Sequence, residues 1–293
     1  MIMHQVIKTA FTLIELLVVI AIIGILSGLI IVTMNGVTAK ANIAKSQVFS
    51  NSLRNALMMN LISEWKLDGS AADSWGGKNG TIHGTTAVAS GCPQGTCLSF
   101  GGTDYINVAD NSVFNFGSRA TAMIWIKGLE QDKGYFSQND GGASQRSWAL
   151  STVSNKYFRV LLSGSGNVAD KDYRSSTVFL NNEWHYVGFT WNTGLLKLYV
   201  DGVEVGVSKI TDNSITSIYD SSSDIVMGCS LSSGAPINYF IGHIDEAKLY
   251  NEAMPSYRIR ENYYAGLNGL LANGSMSKEE YLSRIGGDFA KSR

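Results

Sequence analysis

The chain has 293 residues, 45% of them hydrophobic and only 16% charged, with a net charge of −1. That balance excludes the basic surface a nucleic-acid-binding head would need, and three cysteines exclude a scaffold built on disulfides. Glycine is abundant (31 residues) and proline rare (three). With Ser, Asn and Thr between short apolar runs, this suits a turn-rich, mainly β domain outside the cell.

Residues 1–10 read as a short leader whose cationic side chain is Lys8. Residues 11–33 follow as one apolar run with a single charged residue, Glu15. As a helix, residues 13–33 reach about 31 Å, enough to cross a hydrocarbon core of about 30 Å. Lipid offers backbone groups no hydrogen-bond partners, so the segment must be helical. The Lys8 flank places the N-terminus in the cytoplasm and the rest of the chain outside. A secretory signal would have a shorter apolar core and a small-residue cleavage site. A plain anchor explains the length but not Glu15, because an acid inside a membrane segment is costly.

Phe11-Thr12-Leu13-Ile14-Glu15-Leu16-Leu17 resembles the N-terminus of type IV prepilins and pseudopilins. The resemblance implies cleavage between Ala10 and Phe11 by a prepilin peptidase and methylation of the new amino terminus. It puts Glu15 in the fifth position after the cut. Ala10 stands where that family usually carries glycine. The resemblance further implies assembly with other pilin-like subunits, Glu15 of one neutralising the Phe11 ammonium of its neighbour. Such pairing sets axial register, since an unpaired buried charge is far more costly than a paired one.

Residues 34–62 keep a helical period, with Val37, Ala41, Ala44, Val48, Leu53, Leu57 and Leu61 spaced three to four apart. They read as a stalk. From residue 63 the pattern becomes strand-like. Residues 73–84 form a glycine-rich loop, and Cys92 and Cys97 bracket a tight loop compatible with a local disulfide in an oxidising compartment; metal binding by the two alone is the alternative. Cys229 reads as a small buried hydrophobe. Strands are expected over 120–127, 147–152, 157–163, 183–191, 195–200 and 239–250, and Asp201-Gly202 is a two-residue hairpin turn. After residue 251 the period turns helical again to about residue 272. Ser277 and Glu280 make a capping box for a last short helix that Gly286-Gly287 should stop.

Many short strands with frequent turns argue an antiparallel β-sandwich over residues 63–251, followed by a helical tail, 252–293. Four stretches also resemble the laminin-G-like, concanavalin A-type jelly roll. They are Leu98-Ser-Phe-Gly-Gly-Thr-Asp-Tyr-Ile-Asn-Val108, Glu183-Trp-His-Tyr-Val187, Leu196-Lys-Leu-Tyr-Val-Asp-Gly202 and Ile241-Gly-His-Ile-Asp-Glu-Ala-Lys-Leu-Tyr-Asn251. The resemblance implies a structural Ca²⁺, for which Asp73, Asn79 and Asp245 are the candidate hard-oxygen ligands; turn capping and a structural hydrogen bond are the alternative. Asp245 and Glu246, adjacent in a strand, should point to opposite faces, so a paired-carboxylate hydrolase is not expected. Trp75 and Trp148 are the candidate sugar-stacking rings, whereas Trp65, Trp125, Trp184 and Trp191 sit in strand patterns and read as core.

The expectation is a membrane-anchored, pilin-like surface or filament subunit whose head adheres to an extracellular glycan or protein. A pseudopilin of a secretion or DNA-uptake system is the second reading, and an anchored polysaccharide-degrading enzyme the third.

Overall fold

Two apolar stripes run along Arg119–Gly128, and the fold buries each against a different partner. The computed structural model describes residues 13–14, 16–24, 60–84, 86–88, 90–129, 131–179 and 181–291. In chain order the strands begin with β1 (Leu61–Trp65), β2 (Thr81–His83), β3 (Thr86–Val88), β4 (Cys97–Gly101), β5 (Tyr105–Val108) and β6 (Arg119–Gly128). Next come β7 (Gly134–Asp140), β8 (Gln145–Val153), β9 (Tyr157–Leu162), β10 (Lys171–Val178), β11 (Trp184–Asn192) and β12 (Leu195–Val200). The last are β13 (Val203–Glu204), β14 (Val207–Asp212), β15 (Ile225–Met227), β16 (Ser230–Ser232), β17 (Ala235–Ile237) and β18 (Ile241–Tyr250). Helices α1 (Ser256–Ala272) and α2 (Lys278–Lys291) follow.

The strands form an antiparallel sandwich. An eight-stranded sheet runs β13-β12-β11-β6-β18-β4-β3, with β1 also paired to β18. A ten-stranded sheet runs β14-β10-β9-β8-β7-β15-β5-β2, with the β16–β17 hairpin attached to β7. Ile124 and Ile126 of β6 face the second sheet and join Trp65, Trp148, Phe136, Phe189 and Trp191 in the inter-sheet core. Met123 and Trp125, one residue out of phase, lie on the outer face and pack with Tyr186, Tyr199 and the tail residues Ile259, Tyr263, Leu267 and Leu270. The hairpin at Asp201-Gly202 forms as expected, both residues at positive φ (53° and 79°), with Val200 paired to Val203.

The tail is therefore part of the head. Helix α1 lies so close to the sheet that a Cβ on Gly266 would come within 2.3 Å of the Trp125 ring. Trp125 stacks on Tyr263 with centroids 5.6 Å apart. Cys92 and Cys97 are joined by a disulfide, Cα to Cα 5.7 Å. The loop they close touches α1, since Asn273 donates to the Cys92 carbonyl (2.8 Å). Ser277 accepts from the Glu280 N–H at the start of α2. That helix does not stop at Gly286-Gly287 but continues to Lys291; glycine costs a helix only about 1 kcal/mol, and no proline follows to break it.

Residues 1–59 and 60–293 are separate compact units. In the first, residues 13–14 and 16–24 are helical and their large apolar side chains, Leu13, Leu16 and Ile20 among them, are exposed. Among the described residues no helix is long and apolar enough to cross a membrane. Ala10, Phe11, Glu15 and residues 34–59 of the expected stalk lie outside the described residues. Leu61 and Ile62, expected at the end of the stalk, instead lie in β1, where Leu61 pairs with Tyr250 of β18.

The contact between α1 and the disulfide loop makes opposite predictions for two helical glycines. A Cβ on Gly269 would stand 1.8 Å from the Pro93 carbonyl oxygen, whereas one on Gly286 meets nothing within 4 Å. In detergent-solubilised full-length chain, Gly269→Ala should destabilise by about 1–3 kcal/mol, and Gly286→Ala should be neutral or stabilising by up to about 1 kcal/mol. Thermal melts of the two variants giving the reverse order would show that α1 does not rest on that loop.

Candidate functional site

With its outer face sealed by α1 and α2, the eight-stranded sheet leaves the other sheet to meet solvent. Strand β9 is the clearest case. Phe158, Val160 and Leu162 enter the core, and Tyr157, Arg159 and Leu161 alternate outward, half-buried. Ala149 and Ser151 of β8 lie opposite Leu161 and Arg159, and Asp172 and Arg174 of β10 lie opposite the same two residues on the other side. These side chains floor and flank a groove of about 690 Å³, walled by the β16–β17 hairpin and by residues 167–169.

The walls are fixed by the chain itself. Ser233 and Gly234 turn the hairpin with φ of 51° and 76°. The Asp140 carboxylate accepts from their N–H groups (2.6 Å each) and from those of Gly142 and Ala143 (3.1 and 3.2 Å). Arg146 donates to the Asn167 carbonyl on the opposite wall. On the floor, Arg159 grips Asp172 through two bonds of 2.9 and 2.7 Å, and Arg174 reaches the same carboxylate at 3.5 and 3.3 Å. Burial alone would raise the Asp172 pKa, but the two guanidinium groups hold it below the usual carboxylate range. The groove thus presents fixed guanidinium, amide and hydroxyl groups over a small apolar floor.

A second cavity of about 620 Å³ lies beside the tail and includes His185, Asp201, Tyr263 and Arg284. Both ring nitrogens of His185 are already engaged, Nδ1 with Asp201 (2.7 Å) and Nε2 with Asn181 (2.9 Å). These contacts tie the Asp201-Gly202 turn to residue 181 through the imidazole.

The residues singled out from sequence fall elsewhere. Trp75 is 45% exposed, in the 73–84 loop and outside the groove lining. Trp148 is a correction. It is fully buried, with Phe136 4.9 Å away in a T-shaped contact and Phe116 and Phe189 close by. Its strand register points it inward, so it cannot stack on a ligand. Asp73 and Asn79 close their own turn: Asp73 accepts from the N–H groups of Glu64, Trp75, Gly76 and Lys78, and the Asn79 side-chain oxygen accepts from the Asp73 N–H. Asp245 instead accepts from the Gln94 N–H in the disulfide loop. The Asp73 carboxylate and the Asn79 side-chain oxygen are thus committed to backbone donors, whereas Asp245 Oδ1 is buried without a hydrogen-bond partner, and no cluster of three acidic, His or Cys side chains suited to a metal occurs among the described residues.

Asp245 and Glu246 also depart from simple alternation. A β-bulge sets Asp245 opposite Trp125 and Lys248 opposite Met123, and Glu246 takes φ of 49°. Both acids are buried (0% and 3% exposed), and Lys248 bridges Glu246 (2.7 Å) and Glu64 (3.1 Å). Cys229 is buried as expected, its thiol pushed up to about 12 by desolvation.

A family model for the concanavalin A-like lectin/glucanases superfamily matches residues 100–260, and one for the prokaryotic N-terminal methylation motif matches residues 8–31. No curated protein matches the chain. Among solved structures, domain 4 of AbnA, a GH43 extracellular arabinanase from Geobacillus stearothermophilus, solved with arabinotriose, is 18% identical. The match has a TM-score of 0.53 and covers 70% of this chain and 98% of that one. The binding domain of Paraclostridial Mosquitocidal Protein 1 is also 18% identical (TM-score 0.55; 72% and 53% covered). The ligand-binding domain of botulinum neurotoxin serotype D, solved with N-acetylneuraminic acid, is 16% identical (TM-score 0.54; 73% and 52% covered). The chain spans about half the length of these two toxin domains. At such identities the likeness is one of fold.

The buried acid predicts a pH signature. Burial, and secondarily Glu246, pushes the Asp245 carboxyl up to about 9 from an ordinary 3.8. The folded chain therefore keeps a proton that the unfolded chain releases near pH 4. Stability from this group is full below that point and is lost as pH rises to about 9. Asp245→Asn keeps an acceptor for Gln94 and has no proton to lose. In urea titrations its stability should fall less steeply between about pH 5 and 9, by up to about 1.4 kcal/mol per pH unit. Parallel slopes for the two proteins would mean that Asp245 ionises normally.

Proposed function

We propose that this chain, which belongs to the concanavalin A-like lectin/glucanases superfamily, is a pilin-like surface subunit whose sandwich head binds carbohydrate outside the cell. The observation that carries the reading is the methylation motif at residues 8–31 leading into the apolar run and, beyond it, a head with one sheet face open. Cleavage before Phe11 would create an ammonium group in an apolar setting, and Glu15 of an adjacent subunit is the anion that neutralises it. The exposed apolar surface of residues 13–24 is of the kind that lipid or neighbouring helices cover.

Binding fits the head better than hydrolysis does. The two carboxylates a hydrolase would recruit, Asp245 and Glu246, are sealed from solvent, whereas the open face offers fixed polar groups. Carbohydrate as the ligand class is supported by the two neighbours solved with arabinotriose and N-acetylneuraminic acid.

Glu15→Ala tests the assembly half. The variant should insert in the membrane at normal levels yet fail to enter filaments, scored by fractionation and by imaging with an antibody against the head. Filaments containing it at wild-type density would remove the register role, and wild-type chain found only in short assemblies would assign it to a pseudopilin instead.

A further inference from the structure

The groove on the ten-stranded sheet has a charge and a lining that narrow its ligand. Lys133, Arg146 and Arg159 line it against one carboxylate, Asp132. Just outside, Arg174 shares Asp172 with Arg159. With Asp140 bound to the backbone of the wall, four cations stand at the groove with three carboxylates, on a chain whose net charge is −1. No aromatic ring is among the described lining residues, so the stacking platform that neutral sugars use is missing from the floor.

We propose that this groove takes acidic carbohydrate, a glycan bearing carboxylate or sulfate groups, with the anion held by the guanidinium groups of Arg159 and Arg174. The inference rests on the carbohydrate-binding reading above. Arg159 spends Nε and one terminal nitrogen on Asp172, and among the described residues no bond uses its other terminal nitrogen. Arg174 is placed likewise. Asp172, only 7% exposed, thus orients two planar forks, that of Arg159 lining the groove and that of Arg174 beside it on the same carboxylate. A preset fork loses little freedom on meeting a planar or tetrahedral anion and matches its oxygens better than a lysine does. Asn139, Ser151, Asn167 and Asn238 around it suit the hydroxyls of the sugar ring. A nucleic acid would need a longer run of cations and rings for its bases, and neither is present among the described lining residues.

The test uses full-length chain in detergent micelles on immobilised polygalacturonate, polysialate and heparin, with methyl-esterified polygalacturonate and arabinan as uncharged counterparts and double-stranded DNA as a charge control. At least one acidic polysaccharide should bind about tenfold or more tighter than the uncharged pair and the DNA, and the binding should fall as salt rises. Arg159→Gln should weaken it by about tenfold, the loss of one charge-assisted contact. Arg174→Gln, whose bonds to Asp172 are the longer, should do the same if Arg159→Gln fails a thermal-melt check. Equal or tighter binding of the uncharged polymers overturns the acidic preference and leaves the carbohydrate reading standing. Binding of none of the polysaccharides overturns both. Acidic binding that survives both substitutions within about twofold, or DNA bound as tightly, removes the groove as the site.

Discussion

Burial of the outer face of the eight-stranded sheet under α1 is the constraint from which the rest of the head follows. Strand β6 is apolar on both faces, Ile124 and Ile126 inward and Met123 and Trp125 outward. A sheet of that composition is stable only when covered twice, since each large ring left in water forfeits roughly 1.5–3 kcal/mol of burial. The chain supplies the second cover itself. Gly266 lets the helix backbone settle on the Trp125 ring, and the disulfide loop buttresses its far end through Cys92 and Asn273. Asp245 of β18 belongs to the same arrangement, because it lies opposite Trp125 on that outer face and accepts from Gln94, joining the sheet to the loop.

Covering one sheet decides which surface remains for recognition. The ten-stranded sheet carries several polar and charged residues at the outward positions of β8, β9 and β10, and the small cluster of Val226, Cys229 and Leu231 is buried beside Tyr105 and Tyr239 at the hairpin end. Arg159, Asp172 and Arg174 are thus displayed on a rigid floor and not on a loop, which limits how far their geometry drifts.

Much of this is legible in the sequence, and the failures have identifiable causes. The alternation Tyr157-Phe-Arg-Val-Leu already sets Arg159 on the face opposite Phe158 and Val160, yet nothing local says that this outer face is the open one. Lys171–Val178 carries little strand signal, because every residue but Val178 is polar or aromatic-polar, and its strand character comes from pairing with β9 and β14. Trp148 misled because its neighbours in sequence are small and polar, while its neighbours in space are three phenylalanines. The adjacent acids Asp245 and Glu246 broke the period-two rule through a bulge, a feature set by cross-strand register and invisible in one strand read alone.

The position of β1 bears on mechanics. It is the first described strand of the head, so a force applied to the chain ahead of it enters the sandwich at Leu61. A pull along the strand loads the whole ladder to β18 in shear, together with the Glu64–Lys248 ion pair. Extracting β1 would also drag Trp65 from the core and break its indole bond to the Lys78 carbonyl. A force on β1 is therefore met by a strand ladder, an ion pair and a buried indole together.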